Sequence, residues 1–197
     1  DVLQFGSTVE FTVTPTAGNY ITTVLHNDNE LTPSATDADG TKHYSFMVSE
    51  SNTFTISTAS IGYTKPTGDG FTTNLPDNLN DKQIGSIVQF IAIPKEGKGI
   101  CEVTHNYKPL SPSTTDTDGT GHYSFTVTEK NIIIVAMTPN KVGDTYEITN
   151  AGQLYWFAKQ VNNGNTDINA VQTADIIVNE DVLDDDGELN GDGKGFR

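Results

Sequence analysis

The sequence predicts a mainly β protein of two tandem small antiparallel β-domains followed by a small α/β segment. Three observations carry that prediction. Of 197 residues, 28 are Thr, 18 Gly and 8 Pro; β-branched Thr fits a pleated, half-buried surface, and Gly and Pro punctuate it. Sliding the chain by 79 residues aligns Gly6 to Ile56 with Gly85 to Val135 without a gap, giving 25 identities in 51 positions, the signature of a tandem duplication. Past Pro139 the apolar period changes from that of a strand to that of a helix.

In the first copy Val9, Phe11 and Val13 alternate with Glu10, Thr12 and Thr14, and Tyr44, Phe46 and Val48 repeat the pattern after a loop. A period of two places the apolar set on one face of a sheet. Strands are expected at 8–14, 20–26, 42–48 and 53–57. The second copy repeats them at 87–93, 100–105, 121–127 and 132–137, with Tyr123, Phe125 and Val127 alternating and Ile87 to Ile93 apolar on both faces, as suits a more central strand. Gly18, Gly97 and two Asp-x-Asp-Gly loops supply turns. The expected organisation is a first domain at 1–58, a linker at 59–79 in which Phe71-Thr72-Thr73 could add an edge strand, and a second domain at 80–138. Shared ancestry predicts equal burial for Phe11 and Phe90, Tyr44 and Tyr123, and Phe46 and Phe125.

The third segment, 146–197, opens with a strand at Tyr146 to Thr149. Asn150 caps a helix, with Gln153 three residues on as a capping box requires. Leu154, Phe157, Ala158 and Val161 form its apolar stripe, Asn163 and Gly164 end it, and Ala174 to Val178 reads as a second strand. Trp156, beside the stripe, is expected to be partly buried rather than to stack on a sugar. The run from Tyr146 to Gly164, followed by Thr173-Ala174-Asp175-Ile176, resembles the lead-in to GLUG-type parallel β-helix regions of bacterial surface proteins, some of them adhesins and some peptidases. The duplicated units resemble the Ig-like repeats of bacterial cell-surface proteins, through Gly18-Asn19-Tyr20, Tyr44-Ser45-Phe46 and Asn52. These resemblances imply two Ig-like domains followed by a cap, distinct from both, of a truncated right-handed β-helix.

Acidic residues outnumber basic ones 26 to 11, and the net charge of −15 repels nucleic acid and anionic lipid. The longest apolar run, Ile132 to Met137, is too short to insert in a bilayer. The single cysteine, Cys101, closes no intrachain disulfide. A start at Asp1 and an end just past an acidic Gly-rich stretch suggest a piece of something longer, with any targeting signal outside it.

The strongest chemical candidate is the repeated loop carrying Asp37, Asp39 and Gly40, then Asp116, Asp118 and Gly119. Carboxylates two residues apart in a Gly turn can face one Ca²⁺, which takes six to eight oxygens, though Asp and Gly also build such turns unaided. Asp186, Glu188, Asn190 and Gly191 match part of an EF-hand loop, but Arg197 stands where a bidentate Glu belongs. His26 and His43 recur as His105 and His122 without zinc spacing, and are expected as hydrogen-bonded strand histidines. Cys101 aligns with Thr22, so the thiol is not part of the repeat and is not expected to be a nucleophile. No GxSxG, HExxH, P-loop or GxGxxG pattern occurs.

The resemblances then imply a non-catalytic structural, adhesive or recognition region of a large bacterial secreted or cell-surface protein, meeting an extracellular protein or glycan. Two alternatives stay open: a carbohydrate-binding accessory region of a secreted glycoside-active enzyme, favoured if Tyr20, Tyr63, Tyr107 and Phe71 share an exposed face, and the non-catalytic part of a surface peptidase.

Overall fold

The computed structural model describes residues 4–96 and 98–176. They fall into two compact units, one gathering residues up to 63 with 76–88 and 125–131, the other 64–75, 89–124 and 132 onward. The chain is mainly β, in small, largely antiparallel sheets with one helix among the described residues.

The first copy supplies β1 (Thr8–Val13), β2 (Asn19–His26), β3 (Asn29–Glu30), β4 (Ala35–Thr36), β5 (Lys42–Met47) and β6 (Phe54–Ser60). They form two three-stranded sheets of order β1-β5-β4 and β3-β2-β6. Phe11 lies opposite Tyr44 in the β1–β5 ladder, their rings stacked at 5.4 Å. Ile21 and Val24 of one sheet pack with Tyr44 of the other, flanked by Phe11, Val13 and Leu31, so the sheets bury their faces against each other. Full burial of each such aliphatic contributes about 1.5–3 kcal/mol. A turn at Asn27 and Asp28, both at positive φ, closes the β2–β3 hairpin. Two-residue I′ hairpins require that conformation, which Asn and Asp tolerate best after Gly.

The chain continues through β7 (Gly62–Thr64), β8 (Phe71–Thr73), β9 (Ile87–Pro94), β10 (Ile100–His105), β11 (Lys108–Pro109), β12 (Thr114–Thr115), β13 (Gly121–Thr126) and β14 (Lys130–Met137). The second copy repeats the plan of the first with one strand added to each sheet: β12-β13-β9-β8 and β11-β10-β14-β7. Phe90 and Tyr123 reproduce the stacked pair at 5.5 Å. A bulge at Thr22 in β2 recurs at Cys101 in β10, and the positive-φ pair recurs at Asn106 and Tyr107.

Residues 59–79 are not a plain linker. They carry β7, the expected edge strand β8, and the buried side chains of Ile61, Phe71, Leu75 and Leu79. Expected equality of burial also fails in part. Tyr44 and Tyr123 are both buried, yet Phe11 and Phe46 are only half-buried where Phe90 and Phe125 are fully so. The added strands account for the difference, since β1 and β6 are sheet edges where β9 and β14 are interior, and Phe46 packs on Phe54 of β6.

In the C-terminal segment β15 (Asn140–Val142) pairs antiparallel with β16 (Thr145–Ile148), and β17 (Asn169–Gln172) pairs parallel with β16 after the helix α1 (Ala151–Asn162). Asn150 caps α1, its Oδ1 accepting from the Gln153 amide at 3.0 Å. Gln153 reaches back to the amide and hydroxyl of Thr149 rather than to Asn150. Two expectations are corrected. The second strand lies at 169–172, and 174–176 is outside any strand; 177 and 178 lie outside the described residues. The helix buries Gly152 and Gln153, while Leu154, Phe157 and Ala158 are half-buried and Val161 is exposed. The segment has its own sheet, β15-β16-β17, and lies against the second copy: α1 packs on β10, and a Cβ on Gly152 would sit 2.1 Å from Ala136 Cβ. So close an approach commits the first turn to the second copy and leaves the last turn to solvent. Trp156 is half-buried, edge-on to Tyr146 at 5.1 Å.

Candidate functional site

Both Asp-x-Asp-Gly loops close on themselves by the same bonds. The Asp37 amide donates to the Thr41 carbonyl at 2.8 Å, the Gly40 amide to Asp37 at 3.0 Å, and the Thr41 amide to Asp39 Oδ1 at 2.9 Å. Asp116, Gly119, Thr120 and Asp118 repeat these contacts at 2.9, 3.0 and 2.9 Å. Gly40 and Gly119 sit at φ +82 and +85, which an L side chain resists. The remaining carboxylates face histidines: His43 Nε2 lies 2.8 Å from Asp37 Oδ2, and His122 Nε2 lies 3.0 Å from Asp116 Oδ2. Hydrogen bonds from Thr41 and from Thr120 hold the exposed Asp39 and Asp118 carboxyls below the usual aspartate value.

Thus Asp37, Asp39, Asp116 and Asp118, the calcium candidates, are each engaged in building or bracing a turn. No group of three or more His, Cys, Asp or Glu that could hold a metal occurs among the described residues. The EF-hand-like positions Asp186, Glu188, Asn190 and Gly191 lie outside the described residues.

His26 meets the expectation of a hydrogen-bonded strand histidine, with Nε2 3.0 Å from Asn52 Oδ1. Cys101 lies in its bulge with Sγ donating to the Ala136 carbonyl at 3.2 Å, and burial pushes its thiol up to about 12. A protonated, half-buried thiol is a poor nucleophile. The four aromatics proposed as a sugar platform do not share an exposed face. Phe71 is buried, and the Tyr63 hydroxyl is buried without a hydrogen-bond partner, its phenol pushed up to about 12 by desolvation.

Sequence reasoning missed the feature that stands out most on the surface. Phe11, Phe46, Phe54 and His26 form one aromatic cluster in the first copy, with Phe54 5.3 Å from Phe11, 4.9 Å from Phe46 and 5.0 Å from His26. This cluster opens to solvent: Phe54 is 40% and Ile56 49% exposed, against 1% and 8% for their counterparts Ile133 and Val135. The signal was present in the alignment, since 54 and 56 are apolar in both copies, but not the strand that would show them uncovered.

Two asparagines brace each copy. Asn27 Oδ1 accepts from the Thr53 amide at 2.9 Å and Asn106 Oδ1 from the Ile132 amide at 2.8 Å. Asn52 Oδ1 accepts from the Ser49 amide at 3.0 Å and Asn131 Oδ1 from the Thr128 amide at 2.9 Å. No helix is long and apolar enough to cross a membrane among the described residues. Comparison with known protein families, curated proteins and solved structures finds no match to this chain.

Proposed function

We propose that the chain is a non-catalytic region of a bacterial secreted or cell-surface protein, in which two Ig-like modules and the lead-in of a GLUG-type β-helix act as a spacer that carries an adhesive or recognition surface. The observation that carries this reading is that duplication preserves bracing rather than a reactive centre. The His–Asp pairs, the Asx turns, the bulge and the asparagine braces occur twice. The thiol occurs once and sits protonated. Repeated small β-modules give a chain that transmits load and spaces a binding surface, because each module is stabilised by itself and by its nearest neighbour. Strand β16, helix α1 and the parallel strand β17 supply the strand–helix–strand start that a β-helix lead-in needs.

The test is to display the chain on an inert cell and apply it to arrays of extracellular-matrix proteins and glycans, weighing the arrayed molecules by mass spectrometry afterwards. Saturable capture with unaltered masses is expected. Cleavage of an arrayed glycan or peptide by the purified chain would overturn the reading.

A further inference from the structure

The second copy shows what the first one lacks. Strand β8 pairs with β9, Phe71 opposite Pro94 and Thr73 opposite Ala92. The segment between β7 and β8 runs along β14, with Thr64 to Thr67 lining a groove against Ile132 to Val135 and Gly70 so close to Met137 that a Cβ would meet its Cγ at 2.9 Å. Phe71 and Leu75 are buried there. In the first copy the equivalent strands β1 and β6 are sheet edges, and the apolar groups Phe54 and Ile56 are exposed. Asn131 Nδ2 donates to the Gly62 carbonyl at 3.2 Å as well as to the Thr128 carbonyl, whereas the equivalent Asn52 Nδ2 donates to the Ser49 carbonyl.

We propose that the β1 and β6 edges of the first copy form a docking site for an extended segment of the same kind as residues 59–79, joined ahead of the first copy. Strand addition would give main-chain hydrogen bonds on both edges, and an aromatic at the position of Phe71 would close the cluster of Phe11, Phe46 and Phe54. This is the continuation, by one 79-residue step, of the β8–β9 and β7–β14 pairings that the second copy already makes. Charge favours a tethered segment over a second copy of the chain. Residues 59–79 carry one Lys against two Asp, whereas two whole chains would each bring a charge of −15. Tethering also holds the segment at roughly millimolar effective concentration. The site stands on the repeat geometry and not on the adhesive reading above.

Residues 59–79 duplicated directly ahead of residue 1 preserve the 79-residue register and test the proposal. Hydrogen exchange at the β6 amides should slow at least tenfold relative to the parent chain, and Phe→Asp at the added counterpart of Phe71 should return it to the parent rate. A shuffled segment of the same composition should give no protection. Unchanged exchange in the in-register fusion, or equal protection by the shuffled segment, would overturn the proposal. So would concentration-dependent protection of β6 in the parent chain, which would make the occupant a second copy.

Discussion

The two copies share 25 of 51 residues but not their surroundings. Each has the same stacked Phe–Tyr pair, the same bulge and the same braced loop, at distances that agree within about 0.2 Å. Yet the first copy ends each sheet at a third strand while the second adds a fourth to both. The comparison separates two kinds of information. Hydrogen-bonded frame is local to the repeat, so it is copied with the repeat. Burial of the between-sheet aromatics depends on what the neighbouring segment covers, so it is not.

The largest test of that separation is truncation of the core aromatics. Phe90→Ala should cost about 3–5 kcal/mol, the range for a fully buried aromatic. Phe11→Ala, at a half-buried edge, should cost about half as much. Urea denaturation of the two variants measures both. Equal losses would mean that edge exposure has no energetic consequence.

Glycines at equivalent positions sharpen the same point. Gly6 and Gly85 have φ of +79 and +81, but a Cβ at Gly6 meets nothing within 4 Å, while one at Gly85 would lie 1.9 Å from the Ala38 carbonyl oxygen. Gly6→Ala should cost only the left-handed penalty of about 1–2 kcal/mol. Gly85→Ala should cost more than about 3 kcal/mol, because backbone must move. A difference below about 1 kcal/mol, the precision of such comparisons, would contradict the close approach.

Where the frame is shared, costs should match. Asn27→Ala and Asn106→Ala each remove the acceptor for a backbone amide at the start of the last strand of their copy. Each should cost about 1–2 kcal/mol by leaving that amide unsatisfied. Thermal melts in which one variant is neutral and the other is not would break the equivalence.

The smallest effect concerns pH. Asp39 and Asp118 have carboxyls depressed by hydrogen bonds from Thr41 and Thr120. A depressed folded-state value means that the unfolded chain binds the proton more readily. The stabilisation is therefore present above the unfolded value of about 3.9 and lost as pH falls through the lower folded value. NMR titration of the Thr41 and Thr120 amides should show both midpoints below the ordinary aspartate value, and Asp39→Asn should remove only the one at Thr41.

Much of this architecture was legible in the sequence because the duplication exposed it. Alternation at Val9, Phe11 and Val13 located β1, and the repeat then located β9; Phe71-Thr72-Thr73 was visible as an edge strand. The hairpin at Asn27 and Asp28 was missed because Asn-Asp lacks the Gly that usually marks positive φ. The second C-terminal strand was placed too late because Asn169–Gln172 is exposed at every position and carries no apolar run, although it pairs parallel with β16. The helix stripe was read correctly as a pattern and wrongly as a buried face, since Gly152 against Ala136 anchors the helix by its first turn. At the candidate site the Asp-x-Asp-Gly repeat was visible but its histidine partners were not, because His43 and His122 turn back to the loop from the start of the strand that follows it. At Phe54 and Ile56 residue type gave only apolar positions, and whether a neighbouring strand covers them could not be read from it.

Residue-resolved hydrogen exchange of the native chain tests the central claim most directly, by comparing β6 with β14 and β2 with β10. The account predicts slow, closely matched exchange at Val24 and Val103, which sit in interior strands of both copies. It also predicts that amides of β6 pointing away from β2 exchange at least tenfold faster than their counterparts in β14, a difference of about 1.4 kcal/mol in local opening. Matched protection along β6 and β14 would contradict it, because the first copy would then be as closed as the second.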